Sequence, residues 1–326
     1  MSGDGLYAGI DLGGTKIVVL VADADGRVRG AARVETMAQQ GPEPVIARIV
    51  EAVGDAAREA GVPADSLRAA GVSAPGPIDR EIGVITDPPN LPGWHNVPLA
   101  AILRERLGVP VVLENDANCG AVGEHQFGAG RGFRHMVYVT VSTGIGGGVI
   151  IDGRLYAGSS GAAGEVGHAG VAADGPACGA GHPGCLEAFA SGTAIAHRAR
   201  EAIVAGKLPR TAALAEQDPP LSAKHIHEAA DQGEVEAAAI IRTAGQYLGI
   251  GLANIVNAFD PEAIVLGGGV VNMGDAILGP AVETARTRAF TQSFGDVRIV
   301  RAELGERGPA LGALAVARNC ETDGVG

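Results

Sequence analysis

The fold is decided near the start of this 326-residue chain, where residues 6–16 read LYAGIDLGGTK. The first five residues of this stretch are mostly apolar and predict a buried strand, which runs into Asp11 and a pair of glycines. A hairpin signal at Asp25-Gly26 separates two further strands, expected over 17–21 and 27–34. Such an opening, followed by helices that alternate with strands, favours the α/β class with partly parallel sheets.

A similar arrangement begins near residue 136, where strands over 136–141 and 147–151 flank another glycine-rich turn. We therefore expect two similarly built halves, although no sequence repeat is strong enough to prove a duplication. At about 150 residues per domain, the length of the chain also predicts two domains. Apolar residues at helical spacing predict helices over 43–60 and 234–259.

The composition argues against several classes of partner. The formal net charge is −12, and an acidic chain is repelled by nucleic acid and by anionic lipid. The sequence shows no signal-peptide layout at its start and no apolar run long enough to span a bilayer. Four cysteines in a chain of this length do not make a disulfide framework. We expect a cytoplasmic protein that binds neither nucleic acid nor membrane.

Three glycine-rich turns follow predicted strands, at 11–16, 142–148 and 267–269. Each can direct backbone N–H groups at a phosphate with no side chain in the way. The P-loop pattern is absent and the G-x-G-x-x-G pattern is incomplete, which argues against a P-loop enzyme and a Rossmann dehydrogenase. Two interpretations of Asp11 stay open: a turn residue that bonds its own backbone, or an anchor for hydrated Mg²⁺ with Thr15 near the phosphates.

A carboxylate, Asp116, lies in the stretch ENDAN at 114–118, after a strand over 110–113 and at the start of a helix. This position is typical of an ordinary helix cap. It is equally suitable for a base that accepts a proton from an attacking hydroxyl. The residues by themselves leave both interpretations open.

The three glycine-rich turns resemble, in order, the two phosphate motifs and the adenosine motif of actin-like ATPases and sugar kinases. Residues from 8 to about 318 resemble the ROK family (repressors, open reading frames and kinases), and its glucokinases in particular. The strongest matches are the stretches 114–118, 165–168 and 184–187. The resemblance implies an α/β, two-domain actin-like ATPase (ribonuclease H-like) sugar-kinase fold with a cleft between its domains. It places a small domain at 1–115, with a C-terminal helix at about 307–326 packing back on it, and a large domain at 116–306.

The resemblance also implies roles for individual residues. Asp116 would be the catalytic base. Nucleotide binding would fall to Asp11, Gly13, Gly14, Thr15, Lys16, Thr143, Gly144, Gly268 and Gly269. Sugar binding would fall to Gly76, Asn90, Asn115, Glu165, His168 and Glu187. Two of the sugar residues have structural alternatives: Glu165 as a solvated loop residue, and Glu187 at the start of a helix that runs from Ala188 to about Val204.

A structural zinc with one His and three Cys belongs to the same family pattern. Here the pattern would use His168, Cys178, position 180 and Cys185, but position 180 is Ala. Because structural zinc takes four protein ligands, His182 is the candidate for the fourth, giving a His₂Cys₂ set. A weakened site, closed by water or empty, is the alternative. Cys119 and Cys320 have no partner pattern and are expected to be plain thiols.

The implied reaction is ATP-dependent phosphorylation of a hexose with Mg-ATP, most simply glucose to glucose 6-phosphate. Fructose, N-acetylmannosamine or allose are alternative acceptors, and polyphosphate is an alternative donor. A sugar-responsive repressor of the same family is a rival, but its DNA-binding segment would have to precede a first strand that begins by about residue 6. A non-catalytic sugar-binding protein is disfavoured by the intact Asp116 and nucleotide motifs. The resemblance makes a homodimer or homotetramer the default assembly.

Overall fold

The computed structural model describes residues 5–322, with side chains to residue 320. Residues 1–4 of the expected small domain and residues 323–326 of the expected last helix lie outside this description. The strands are β1 Tyr7–Leu12, β2 Lys16–Ala22, β3 Val28–Glu35, β4 Ala70–Ala74, β5 Ile78–Asp79, β6 Val84–Ile85, β7 Val111–Asn115, β8 Met136–Val141, β9 Ile145–Ile151, β10 Arg154–Leu155, β11 Ala263–Gly267 and β12 Arg298–Arg301. The α-helices are α1 Pro42–Glu59, α2 Leu99–Leu107, α3 Asp116–Phe127, α4 Leu186–Ala190, α5 Gly192–Val204, α6 Pro209–Gln217, α7 Ala223–Asp231, α8 Val235–Phe259, α9 Asp275–Arg288, α10 Thr291–Asp296 and α11 Gly308–Thr322.

Two compact units make up the chain. Unit 1 comprises Met1–Arg134, Gly148–Ala163 and Ala302–Gly326, and unit 2 comprises His135–Gly147 and Gly164–Arg301. The division differs from the sequence-based boundary after residue 115, because α3 packs against α11 and is grouped with unit 1. A carbonyl at Cys119 lies so close to Gly312 that any Cβ there would overlap it, which shows how tightly these two helices pack.

A five-stranded sheet with the order β3-β2-β1-β4-β7 is the framework of unit 1. Strands β1, β4 and β7 are parallel, with Asp11 opposite Ser73, Ser73 opposite Glu114 and Ala74 opposite Asn115. Because successive side chains of a strand point to opposite faces, Ala8 and Ile10 join one core while Tyr7 joins another. The parallel register brings the carboxyl ends of β1, β4 and β7 together.

Helices cover both faces of this sheet. On one face, α1 contributes Val45, Ile46 and Ile49 to the larger core, in which the only tryptophan of the chain, Trp94, is fully buried. On the other face, α11 crosses β1 and β4 where they carry Gly9 and Gly71. A side chain at either glycine would overlap a backbone carbonyl of α11, so glycine is needed for this close packing.

The second sheet has the order β10-β9-β8-β11-β12, which is the same arrangement as the first. Strand β11 is parallel to β8 and to β12, and all of its residues are buried. Unit 2 contains β8, β11 and β12 and is mainly helical, with the 25-residue α8 packed on α9. The shared strand order agrees with the expectation of two similarly built halves. No helix within residues 5–322 combines the length and the apolar character needed to cross a membrane.

Candidate active site

The turn between β1 and β2 is fixed by backbone and hydroxyl hydrogen bonds. The amide of Gly13 donates to the carbonyl of Lys16 (3.0 Å), and Thr36 Oγ1 donates to the carbonyl of Gly13 (2.6 Å). A Cβ at Gly14 would come within 3.0 Å of the Asn90 carbonyl oxygen, so Asn90 packs directly on this turn. The Thr15 side chain is exposed. Of the predicted residues, Gly13, Gly14, Thr15 and Asn90 are therefore brought together.

Lys16, at the end of the same turn, is held by a carboxylate. Its Nζ lies 2.8 Å from Oε1 of Glu306, in the segment that precedes α11. Arg33 approaches the other oxygen of Glu306 at 3.8 Å. The ion pair with Lys16 lowers the pKa of Glu306 below its usual value. Nothing in the local sequence indicated this partner for Lys16.

Asp11 ends β1 beside this turn. Ser73 on the neighbouring strand donates a 2.9 Å hydrogen bond from its Oγ to Asp11 Oδ1. Burial raises the pKa of Asp11 to about 6, and the nearby charge of Asp116 contributes in the same direction, while Ser73 and Lys16 oppose the rise. The interaction with Asp116 means that the two carboxylates predicted for metal-nucleotide binding and catalysis are electrostatic neighbours.

Asp116 is the first residue of α3, and its side chain is exposed. Asn115 is the N-cap: its Oδ1 accepts from the amides of Ala117 (2.9 Å) and Asn118 (3.2 Å). Oδ1 of Asp116 also accepts from the amide of Ala117, at 2.8 Å. The Nδ2 of Asn115 lies next to Gly76, where an added Cβ would be 3.5 Å away. The sequence-based interpretation of Asp116 as the helix cap is therefore wrong by one residue: Asn115 is the N-cap, and Asp116 is the first residue of α3.

Sequence reasoning missed the role of Glu114, which precedes this pair and is only 1% exposed. Its Oε1 accepts from the amide of Asn115 and from Nδ2 of Asn118, both at 3.0 Å. Its Oε2 faces the guanidinium of Arg80 at 2.8 Å. The only signal available in the sequence was a charged residue at the end of an apolar strand.

In unit 2, two predicted nucleotide turns pack against each other. Gly268 follows β11 with a φ of 91°, and a side chain there would overlap the backbone of Val141 at the end of β8. The chain after Val141 turns at Ser142, whose carbonyl accepts from the amide of Gly192 at 2.7 Å. Thr193 Oγ1 donates to the carbonyl of Thr143 at 2.8 Å. These contacts join the two turns to the N-terminus of α5.

A cavity of about 480 Å³ opens beside these turns, within unit 2. Two of the predicted nucleotide residues, Thr143 and Gly269, line it. Its remaining walls come from the start of α5, the start of α7 and the segment after Gly269: Ser142, Gly192, Thr193, Ser222, Ala223, Lys224, His227, Val270, Asn272 and Met273. The volume and the mixed lining are suited to a nucleoside.

Glu187 contacts the second glycine-rich turn. Its Oε2 accepts from the amide of Ile145 at 2.8 Å, and it occupies the space where a Cβ of Gly144 would lie. The predicted helix from Ala188 to about Val204 is wrong in one respect: it is two helices, α4 and α5, that meet at Ser191. The break arises because Ser191 caps α5, with its Oγ accepting from the amide of Ala194 at 3.1 Å.

Glu165 precedes a single turn of 3₁₀ helix, Val166–His168, of which His168 is the last residue. Nε2 of His168 lies 3.9 Å from Oε2 of Glu165, whose side chain is exposed. The opposite ring nitrogen, Nδ1, lies 3.7 Å from Sγ of Cys178. His168 therefore presents one nitrogen to a thiol and the other to a carboxylate.

Three of the four predicted zinc ligands meet in one cluster. Ligand atoms of His168, Cys178 and His182 lie within 4.8 Å of one another, and the two imidazole rings meet edge to face at 4.7 Å. Cys185 is buried, and burial is the largest cause of its raised pKa, to which the neighbouring Cys178 thiol contributes. Cys178 and His182 lie on one short hairpin, in which the amide of Cys178 donates to the His182 carbonyl at 3.0 Å. The donor set of two imidazoles and two thiols suits zinc.

Comparison with known proteins gives one family match and three similar proteins. A profile of the ROK family matches residues 7–320. The glucokinase of Thermotoga maritima is 38% identical over 308 residues, which cover 94% of this chain and 96% of that protein. The crystal structure of the ROK hexokinase from Thermus thermophilus is 39% identical, with a TM-score of 0.85 and coverage of 98% and 99%. A ROK family glucokinase from Streptomyces griseus, solved with glucose and AMPPNP, is 36% identical, with a TM-score of 0.81 and coverage of 97% and 100%. The predicted fold class is confirmed.

Proposed function

The chain belongs to the ROK family, and from this premise we propose that it is a glucokinase-type hexokinase that transfers the terminal phosphoryl group of ATP to glucose. The names of its relatives support a kinase whose acceptor is a hexose. One observation in the chain itself carries the proposal: an exposed carboxylate, Asp116, begins α3 beside the Asn115 amide and Gly76.

In the proposed reaction, Asp116 accepts the proton of the hexose hydroxyl that attacks the phosphorus atom. A carboxylate is basic enough for this task, because the bond to the leaving oxygen is largely broken before the proton must leave. Asn115 donates from Nδ2 to a neighbouring sugar hydroxyl, since its Oδ1 is already used by the backbone of α3. Gly76, which lies beside Asn115 Nδ2, and Asn90, which packs on Gly14, are proposed to contact the same sugar.

Glu165, His168 and Glu187 are proposed to bind further hydroxyls of the sugar. A carboxylate accepts from two neighbouring hydroxyls, and a neutral imidazole donates from one nitrogen. Glu187 keeps Oε1 for this purpose, because its Oε2 accepts from the amide of Ile145. Polar groups of this kind favour a hexose that offers a hydroxyl to each of them and reject one that leaves a group unpaired.

The nucleotide is proposed to bind with its nucleoside in the 480 Å³ cavity and its phosphates on the turns at Gly13–Lys16 and Thr143–Gly144. Lys16 would exchange Glu306 for a phosphate oxygen; the exchange is cheap because the ion pair with Glu306 is exposed to solvent. Mg²⁺ bound with the nucleotide would supply positive charge to the phosphates, and Asp11 is the carboxylate suited to hold its water shell.

Zinc is proposed to bind His168, Cys178, His182 and Cys185. The four side chains fit because they offer two nitrogen and two sulfur donors, and three of them already lie within 4.8 Å of one another. His182 would take the place that Ala180 leaves without a ligand. Ligation of His168 through Nδ1 would leave Nε2–H directed to the Glu165 side, which fixes the tautomer that can donate to a sugar hydroxyl.

ATP rather than polyphosphate is the proposed donor, because the nucleoside-sized cavity is lined by Thr143 and Gly269 of the predicted nucleotide turns in unit 2. We place the reaction in the cytoplasm, where ATP is available. A homodimer or homotetramer remains the expected assembly.

A coupled assay of ADP release tests the proposal, with glucose, fructose, mannose, N-acetylmannosamine and allose as acceptors and ATP or polyphosphate as donors. We expect glucose with ATP to give the highest kcat/KM. Polyphosphate is followed through the hexose phosphate formed. If neither donor phosphorylates any of these hexoses, the proposed function is wrong.

A further inference from the structure

Arg80 belongs to none of the predicted sites, but its ion pair with Glu114 lies next to Asn115 and the proposed catalytic carboxylate, Asp116. It follows the short strand β5, a few residues after Gly76. Its guanidinium lies 2.8 Å from Oε2 of Glu114, a side chain that is 1% exposed, while Arg80 itself is 35% exposed. No donor elsewhere in residues 5–320 forms a hydrogen bond with that oxygen. The compensation of a buried negative charge therefore depends on Arg80.

Glu114 transmits this contact to the start of α3. Its other oxygen accepts from the Asn115 amide and from the Asn118 side chain, both at 3.0 Å. Asn115 in turn caps α3 through the amides of Ala117 and Asn118. Each of these contacts fixes the backbone on one side of Asp116 or the other.

We infer that Arg80 is a positioning residue for the hexose: its ion pair with Glu114 holds the segment that carries Gly76 in register with Asn115 and Asp116. The inference rests on the proposed function. The two segments already touch, because a Cβ at Gly76 would be 3.5 Å from Asn115 Nδ2, and Ala74 pairs with Asn115 between β4 and β7. The ion pair adds a second connection, further along the Gly76 segment.

A purely structural role would have different consequences. If the ion pair only stabilised unit 1, breaking it would lower the stability of the protein and change the KM for glucose and the KM for ATP to a similar degree. A positioning role affects the hexose selectively, because a displacement of about 1 Å at the reacting hydroxyl costs up to about a hundredfold in rate. The nucleotide turn at 13–16 is held by hydrogen bonds that involve Thr36 and the Lys16 carbonyl, and Arg80 takes part in neither bond.

Kinetics of Arg80→Ala test the inference, with Arg106→Ala as the matched control. Arg106 is 34% exposed and also contacts a carboxylate, but its partner Glu43 is on the surface, at 2.7 Å. We expect Arg80→Ala to lower kcat/KM for glucose about 10- to 100-fold, with the KM for ATP within about twofold of wild type. Arg80→Lys, which keeps the charge, should recover part of the loss. Arg106→Ala should leave both substrates unaffected.

Arg80→Met/Glu114→Gln separates positioning from the effect of a buried unpaired charge. It removes both charges but keeps an oxygen at position 114 for Asn115 and Asn118. We expect its thermal stability to exceed that of Arg80→Met, while its kcat/KM for glucose stays low. Full recovery of glucose kinetics in this double variant would overturn the inference, as would a KM for ATP that rises severalfold in Arg80→Ala or Arg80→Lys.

Hydrogen exchange of the amides in residues 76–86 gives a readout that does not depend on turnover. The amide of Thr86, which donates to the Pro77 carbonyl at 3.1 Å, should exchange faster in Arg80→Ala and at the wild-type rate in Arg106→Ala. Unchanged exchange in a folded Arg80→Ala would overturn the connection itself. If the wild type phosphorylates no hexose, but the Thr86 amide still exchanges faster in Arg80→Ala than in the wild type, the proposed function is refuted and the connection through Arg80 stands.

Discussion

Ser73 and Asp11 lie side by side on parallel strands, and the serine hydroxyl donates to the aspartate carboxylate at 2.9 Å. The hydroxyl favours the charged form of Asp11, but burial outweighs it and raises the pKa to about 6. The protein therefore keeps a carboxylate at the end of β1 that is partly protonated in mildly acidic solution.

The stability of the metal-free protein should record this shift. The folded-state pKa of about 6 exceeds the unfolded value of 3.8, so the folded state binds more protons between these pH values. The contribution of Asp11 to the free energy of unfolding is fully present below pH 3.8 and is lost as the pH rises through 6, by at most about 3 kcal/mol. Urea unfolding of wild type and Asp11→Asn at several pH values checks this. Relative to Asp11→Asn, wild type should become less stable as the pH rises; parallel curves would contradict the raised pKa.

Asp116→Asn should abolish turnover while leaving hexose binding intact. The amide cannot accept the proton of the attacking hydroxyl but has nearly the same shape, so kcat should fall by about three orders of magnitude or more. Steady-state kinetics and calorimetry of glucose binding measure the two effects. Asp275→Asn is the control, because Asp275 is likewise the exposed first residue of a helix, α9. Near-normal kcat in Asp116→Asn would remove this residue from its proposed role.

Gly268→Ala should destabilise the protein, whereas Gly269→Ala should not. Gly268 has a φ of 91° and meets the backbone of Val141, while a Cβ at Gly269 would have no neighbour within 4 Å among the described residues. The strained conformation and the overlap predict a loss of about 1–3 kcal/mol for Gly268→Ala. Chemical denaturation of both variants provides the measurement. Equal stabilities would show that the turn after β11 can rearrange.

Metal analysis should find about one zinc per chain in protein purified without chelator. Removal of His182 by an Ala substitution should lower the zinc content severalfold and weaken glucose binding, because His168 would lose its fixed orientation. His197→Ala is a suitable control, since His197 is exposed on α5 and faces Glu201. Protein without zinc in both wild type and the His182 variant would end the metal proposal.

The agreement between sequence and structure is closest where local patterns decide the outcome. The helix predicted over 43–60 is α1 at Pro42–Glu59, and that predicted over 234–259 is α8 at Val235–Phe259, because apolar spacing and terminal residues are local signals. The short strands β5 and β6 and the two edge strands of the second sheet, β10 and β12, were not predicted. Their residues form strands because of the neighbour each one pairs with, and no periodic pattern marks them.

The sequence by itself determined the glycine turns, the Asn115-Asp116 start of α3 and the family resemblance, because each depends on residues that are adjacent along the chain. Only the tertiary structure decided that Arg80 compensates Glu114 and that Glu306 pairs with Lys16. These contacts join residues from separate segments. Their energies depend on burial and on distances of 3–4 Å, and both quantities exist only after the sheets and helices have packed.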